Sequence, residues 1–200
     1  MLELVVYGGG NLGSVRRCLH RLDLPFREVD AESPPSGEIP MLVPGVGAFG
    51  AVVDSLSRDG LGARVSQAAQ SGTPLLGICV GLQLLLDESE ETPGAKGLGL
   101  IPGRVVKLKA AKVPQIGWNR IERQEPHPGL EEGYVYFVNS YVAEPADPSK
   151  VWYESEYEGR YCAAVRDVSN NRHISAFQFH PEKSGQFGHD LLTSWYREVV

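Results

Sequence analysis

The sequence has no surplus of positive charge: nineteen Lys and Arg face twenty-five Asp and Glu in 200 residues, a net charge of −6. A protein that binds nucleic acid without sequence preference needs the opposite balance to neutralise phosphates, so that class is excluded. Long hydrophobic runs are missing too. The longest, Leu75 to Leu86, is twelve residues and contains Gln83, short of the ~20 apolar residues that a membrane span requires. The opening Met-Leu-Glu-Leu-Val-Val has no basic region ahead of it, so it does not read as a secretory signal. Cysteine is scarce: Cys18, Cys79 and Cys162 are odd in number and form neither a CxxC pair nor a zinc-ligand cluster. The expected setting is a reducing cytoplasm with free thiols, and neither a metal nor a cofactor is expected.

What is present is globular: 42% of residues are hydrophobic and 22% charged. Size scaling gives roughly 9,300 Å² of folded surface with about 70% of the chain's surface buried, enough for one sizeable core. No repeat or linker interrupts the chain, so residues 1–200 are expected to form one domain. Leu2 to Tyr7 reads as a buried strand stopped by Gly8-Gly9-Gly10. Asn11 is placed to cap a helix whose apolar stripe is Val15, Cys18, Leu19 and Leu22. Strands are predicted at Phe26 to Val29, Met41 to Val43 and Pro74 to Ile78, and helices at Gly50 to Ser57, Leu61 to Gln70 and Val80 to Asp87. This alternation predicts an α/β fold with a mostly parallel central sheet flanked by helices. From Gly97 onward the rhythm changes. Arg104 to Leu108, Tyr134 to Val138, Val151 to Tyr153, Tyr161 to Val165 and Ile174 to Phe179 read as strands that extend the sheet or add antiparallel strands to it. Phe187, Leu191, Trp195 and Val199 mark a closing amphipathic helix, and the acidic stretch Asp87 to Gly97 reads as an exposed loop.

Three segments carry chemistry. Gly8-x-Gly10-x-x-Gly13, with Asp30 after the next strand, has the form of a dinucleotide-binding turn, a form that a strand-to-helix turn also takes on conformational grounds alone. Gly77-Ile78-Cys79-Val80-Gly81 places a cysteine between glycines where a buried strand becomes a helix, the pattern of a nucleophile elbow. The start of the following helix would offer N–H groups and a positive dipole end to a thiolate or an oxyanion. In Phe179-His180-Pro181-Glu182, residues i and i+2 of an extended chain face one way, so Glu182 can orient His180. Strand ends of a parallel sheet gather on one edge, which brings His180 toward Cys79 and predicts a Cys-His-Glu triad. Pro44-Gly45-Val46-Gly47 ends another strand on that edge and can turn backbone N–H groups toward the site.

Together, Pro44-Gly45-Val46-Gly47, Gly77-Ile78-Cys79-Val80-Gly81-Leu82-Gln83 and His180-Pro181-Glu182 resemble the class I, or triad, glutamine amidotransferases. The resemblance implies that Cys79 attacks the side-chain amide of glutamine, that His180 protonates the ammonia and then activates water, and that Glu182 orients His180. It implies an oxyanion hole from the Gly47 and Val80 N–H groups. Gln83 is implied to help hold glutamine, together with the backbone of Asn139, Ser140 and Tyr141. Tyr7-Gly8-Gly9-Gly10-Asn11-Leu12, Pro114-Gln115-Ile116-Gly117-Trp118-Asn119 and His180-Pro181-Glu182-Lys183-Ser184-Gly185 resemble the branch that serves as glutaminase subunit of imidazole glycerol phosphate synthase. That implies a (β/α)8-barrel cyclase subunit as partner in a heterodimer, contacted by Asn11, Leu12, Trp118, Asn119 and Lys183. Because ammonia must travel shielded from water and uncoupled hydrolysis wastes glutamine, an isolated chain of low activity is expected, with the Pro44–Gly47 glycines permitting a peptide flip that completes the oxyanion hole when the partner activates it. Other readings remain: a glutaminase serving another synthase, such as that for pyridoxal phosphate, a cysteine hydrolase on a similar scaffold, and a nucleotide-binding module.

Overall fold

In the computed structural model, which describes every residue except 9–11, β1 (Leu2–Val5), β3 (Met41–Gly45) and β4 (Leu75–Cys79) are buried along their whole length. A parallel sheet is covered on both faces, which is why these segments are apolar apart from Glu3, whose buried carboxylate is paired with Arg27 and the Ser36 N–H. With β2 (Phe26–Val29) outside β1 and β12 (Ile174–Phe177) beside β4, they form a parallel run in the order β2-β1-β3-β4-β12. The connection from β1 through α1 (Gly13–Arg21) to β2 steps one way along the sheet. That from β3 through α2 (Phe49–Arg58) and α3 (Leu61–Gln70) to β4 steps the other. Right-handed crossovers then place α1 and the α2–α3 pair on opposite faces. The predicted stripes are those that pack: Val15, Cys18 and Leu19 in α1, and Leu191 and Trp195 in α5 (Gly185–Val199), are buried, while Leu22, Phe187 and Val199 cover the core's margin. Gly45 lies level with Cys79, and Phe177 with Ile78, so the ends of β3, β4 and β12 open on one edge.

Beyond β12 the sheet turns antiparallel, through β11 (Arg160–Asp167), β10 (Val151–Glu156), β7 (Gln115–Arg123) and β8 (Glu132–Asn139). From β11 a branch leads to β9 (Tyr141–Pro145), β6 (Gly103–Lys107) and the short β5 (Glu88–Ser89). The α/β class with added antiparallel strands holds, as one mixed sheet with helices on both faces. β8 ends the row, yet it curls back over the open edge: its Tyr136 carbonyl accepts the His180 N–H at 3.0 Å. Beneath it lies an aromatic layer, with Phe177 and Phe179 stacked at 4.8 Å, Trp152 against Phe177 at 5.4 Å and Phe137 against Phe179 at 5.9 Å. Such pairs add about 0.5–1.5 kcal/mol each beyond simple burial. The exposed surface of 9024 Å² is close to the roughly 9,300 Å² expected for this mass, so the antiparallel half folds onto the parallel half.

Three expectations need correction. The helix after the elbow, α4, spans Val80–Gln83 and not Val80 to Asp87. The Leu84, Leu85 and Leu86 carbonyls instead accept N–H groups of the 98–101 segment, which ends the helical ladder. The Asp87 to Gly97 stretch is mostly exposed, as expected, but it is not free of structure: Ser89 is buried in a short strand, and Glu91 and Thr92 accept the N–H groups of Phe49 and Gly50 at 2.7 and 3.2 Å. They cap α2, a task that Ala48 in the N-cap position has no side chain to perform. Strands β7 and β9 were not expected. In β7 the apolar pattern is inverted, with Ile116 and Trp118 outward and Gln115 buried. Among the described residues no helix is long and apolar enough to cross a membrane.

Tyr7 follows β1 and donates its hydroxyl to the Pro44 carbonyl at 2.6 Å inside the core, tying the glycine turn after β3 to the sheet. Tyr7→Phe leaves that carbonyl unpaired, and we expect a loss of about 1–2 kcal/mol in urea unfolding.

Candidate active site

Cys79 has φ +56° and ψ −109°, a left-handed backbone that a side chain adopts only under constraint. The constraint is visible at its flanking glycines. A Cβ on Gly77 would lie 2.6 Å from the Gly81 carbonyl oxygen, and one on Gly81 would collide with the Val43 carbonyl. Strand, turn and helix therefore meet backbone to backbone and push the thiol out at the tip. Because α4 is a single turn, the elbow offers the nucleophile nearby N–H groups and not the dipole of a long helix.

His180 follows β12 on the same edge. Its Nδ1 lies 2.9 Å from Glu182 Oε1, both side chains being about 95% buried (5% and 4% exposed). The contact is made by a 3-10 turn at Pro181–Lys183 and not by an extended strand, since β12 stops at Phe177. Ser184 locks the turn: its hydroxyl donates to the His180 carbonyl at 2.6 Å and accepts the Tyr136 N–H at 2.9 Å. Burial pulls the imidazole's pKa down, but hydrogen bonds to Cys79 and Glu182, and their charge, outweigh it and raise it to about 9. With Nδ1 turned to the carboxylate, Nε2 is the atom left for Cys79. Burial pushes the other two thiols up, Cys18 to about 11 and Cys162 to about 12, so neither is a competing nucleophile.

A cleft of about 440 Å³ opens above the triad and is lined by Gly47, Cys79, Val80, Gln83, Asn139, Ser140 and Tyr141, with Glu91, His180 and Lys183 at its sides. Every residue expected to hold glutamine or its oxyanion thus faces one cavity. Gln83 Nε2 donates to the Tyr141 carbonyl at 3.2 Å and to Gln178 Oε1 at 3.3 Å, which leaves its Oε1 for the cleft. The Tyr141 carbonyl also takes Asn139 Nδ2 at 3.2 Å, so it is already doubly occupied. Glu91 escaped the sequence reading because it sits in the stretch taken for a loop. One oxygen caps α2, and the carboxylate faces the cleft.

A family model described as glutamine amidotransferase class-I matches residues 11–199. The chain belongs to the class I glutamine amidotransferases. Imidazole glycerol phosphate synthase subunit HisH of Geobacillus kaustophilus is 42% identical over 205 residues, covering 98% of this chain and 95% of that protein. The subunit of the same name from Syntrophotalea carbinolica is 40% identical over 208 residues, covering 98% of each. Among solved structures, a crystal structure of a glutamine amidotransferase aligns with a TM-score of 0.77 at 20% identity, covering 98% of this chain and 97% of that one. PurLQS from Thermotoga maritima aligns at 0.76 and 16% identity, covering 100% and 98%. At these identities the two structures speak for the fold alone.

Of the residues expected to meet a partner, Leu12 and Lys183 line one small pocket with His180 and Glu182, and the Trp118 ring reaches toward Gly185. Trp118 is 56% exposed and stands edge-on to Tyr136 at 6.0 Å, with Ile116 (63% exposed) and Tyr134 (61%) on the same outward face of β7–β8. Lys183 is exposed beside the cleft. Leu12 is buried, and Asn119 faces the other side of the strand, its amide donating to the Glu156 carbonyl at 2.8 Å. Asn11 and Gly10 lie outside the described residues, and with them part of the glycine turn. Asp30, the acidic residue of the dinucleotide reading, accepts the Glu32 and Ser33 N–H groups at 2.9 and 2.7 Å and serves a local turn.

Two measurements follow from this geometry. Gly81→Ala should cost about 3 kcal/mol in urea unfolding, because its Cβ meets a carbonyl that cannot retreat. Gly47 has φ +111° with nothing near its Cβ position, so Gly47→Ala should fold with a cost of only about 1–2 kcal/mol. The second concerns His180. Its pKa is raised above the unfolded value, so its contribution to stability is complete below about pH 6.5 and is lost as pH rises through about 9. In Cys79→Ala one of the two hydrogen bonds disappears, and the imidazole midpoint followed by NMR should fall below 9.

Proposed function

We propose that residues 1–200 form one cytoplasmic glutaminase domain that hydrolyses glutamine through a Cys79 thioester and hands the ammonia to a (β/α)8-barrel cyclase subunit. In that heterodimer the ammonia serves the synthesis of imidazole glycerol phosphate and an aminoimidazole carboxamide ribotide, in histidine biosynthesis. The observation that carries the reading is a single imidazole bonded at Nδ1 to Glu182, with Cys79 and His180 lining one cleft of amino-acid size. No member of the site is a metal or cofactor ligand in this chemistry.

In the first step the Cys79 sulfur attacks the glutamine amide carbon, and the carbonyl oxygen gains charge between the N–H groups of Gly47 and Val80. His180, protonated while it faces the thiolate, passes its proton to the amide nitrogen, and the carbon–nitrogen bond breaks to release ammonia. The thioester left behind is neutral, so the charge that raised the imidazole has gone and His180 becomes a better base. It takes a proton from water, the hydroxide adds to the thioester, and the carbon–sulfur bond breaks to give glutamate. Glu91, across the cleft from the Ser140–Tyr141 corner, is suited to receive the substrate's ammonium group.

The outward face of β7–β8, with Trp118, Ile116 and Tyr134 exposed, has the aromatic character of an interface centre and supports a macromolecular partner. The Gly47 conformation supports a second element of the reading, in which this peptide turns into place only with the partner bound. Ammonia release from glutamine should therefore be low for the lone chain, rise at least about tenfold with a ligand-loaded cyclase subunit, and vanish in Cys79→Ala. Trp118→Ala should weaken subunit binding by about 2 kcal/mol in calorimetry and leave the fold intact. Full activity of the lone chain contradicts the activation step. Release that survives Cys79→Ala contradicts the mechanism.

A further inference from the structure

Gln178 is fully buried on the segment between β12 and His180, and no step above uses it. Its backbone N–H is bonded to the Ala163 carbonyl at 2.9 Å, so the side chain leaves from a fixed point on β11. The direction of its carboxamide follows from the groups around it. The Tyr141 carbonyl is an acceptor only, so the Gln83 atom facing it at 3.2 Å has to be the donor Nε2. The same amino group points at Gln178 from 3.3 Å, and the atom that receives it has to be Oε1. Gln178 Nε2 is thereby turned the other way, to the Cys79 sulfur at 3.9 Å. A backbone carbonyl thus aims an N–H at the nucleophile through two side-chain amides.

The sulfur needs such a donor. On one side it faces the Val138 carbonyl at 4.0 Å, a partner for an S–H and an unfavourable neighbour for a thiolate. The titratable groups around it are His180 with Glu182 behind it, Tyr7 beneath the elbow, and Glu91 and Lys183 in the cleft. Of these, His180 is the group whose protonation is coupled to Cys79, and it must give its proton away during the reaction. Gln178 carries a donor whose availability does not change with protonation.

We propose that Gln178 is a positioning residue for the nucleophile: its amide N–H holds the Cys79 thiolate at both ends of the acylation cycle, and its oxygen keeps Gln83 turned toward the substrate. The proposal rests on the glutaminase reading for its kinetic consequences but not for its chemical one, since thiolate reactivity is measurable without glutamine.

The test is the rate at which iodoacetamide alkylates Cys79 in the full-length chain at pH 7, read by mass spectrometry of the peptide that carries it. The buried Cys18 and Cys162 report folding in the same digest. In Gln178→Met, which keeps the length and removes the donor, we expect alkylation at least about fivefold slower while Cys18 and Cys162 stay protected. With the cyclase subunit present, kcat for glutamine should fall more than KM rises. If the Met variant exposes Cys18 and Cys162, Gln178→Glu is decisive, because its carboxylate can still accept from Gln83 but brings no N–H to the sulfur. A folded variant of either kind that alkylates at the wild-type rate overturns the proposal, even if its melting temperature has dropped. A wild-type complex that releases no ammonia, combined with slowed alkylation in the variants, would sink the glutaminase reading and leave the Gln178 contact standing.

Discussion

Direct contact of main chain with main chain at the elbow is the constraint on which the rest of the structure depends. A Cβ on Gly45 would come within 2.6 Å of the Gly81 nitrogen, one on Gly77 within 2.6 Å of the Gly81 oxygen, and one on Gly81 would strike the Val43 carbonyl. Three adjacent pieces, β3, β4 and α4, are therefore closer than any side chain permits. Their closeness forces the turn between them into the left-handed backbone at Cys79. The thiol is presented to the cleft at the tip, with Cys79 itself buried, the Val80 N–H stands beside it, and the Gly45–Gly47 turn is drawn alongside. Strain at the nucleophile is held there by packing of a kind that one methyl group would undo.

The electrostatics of the site follow from burial opposed by pairing. An imidazole this deep is pulled toward neutrality, and it is protonated only because a carboxylate lies on one side and a thiol on the other. That balance makes His180 responsive to the state of Cys79. With the thiolate present it holds a proton, and once the sulfur is acylated it holds one less tightly. One residue can then serve as acid in the first half of the reaction and base in the second. Cys18 and Cys162 stay inert because burial raises both, and neither the charge of Arg21 near Cys18 nor the Ala164 carbonyl contact of Cys162 offsets it.

Much of this was legible in the order of residues, and the misses have physical causes. The parallel half was readable because continuous apolar runs, glycine turns and helical stripes agree with one another over the first eighty residues. The meeting of His180 with Glu182, beside the cleft that Cys79 lines, was readable because these motifs sit at strand ends, where topology collects them. The helix after the elbow was drawn too long because Leu82, Leu84, Leu85 and Leu86 look helical in isolation. Their carbonyls are claimed by the 98–101 segment, a partner that no local pattern reveals. Glu91 looked like a solvated charge, since its partner, the start of α2, lies forty-two residues away. β7 was missed because it turns Trp118 and Ile116 outward, against the ordinary rule. That inversion leaves Trp118, Ile116 and Tyr134 exposed together on one face. The curl of β8 over the cleft, which supplies the Val138 and Tyr136 carbonyls, depends on sheet geometry alone and left no mark on the sequence.

The central claim is that Cys79, constrained at the elbow and paired with His180, forms a covalent intermediate with glutamine. Rapid acid quenching of the complex during turnover, followed by mass spectrometry of its peptides, tests this most directly. The account predicts a γ-glutamyl adduct on the Cys79 peptide alone, and no adduct in a His180→Asn variant, which lacks the acid that releases ammonia as well as the base that activates water. An adduct on Cys18 or Cys162, or steady ammonia release with no adduct on any cysteine, would contradict it.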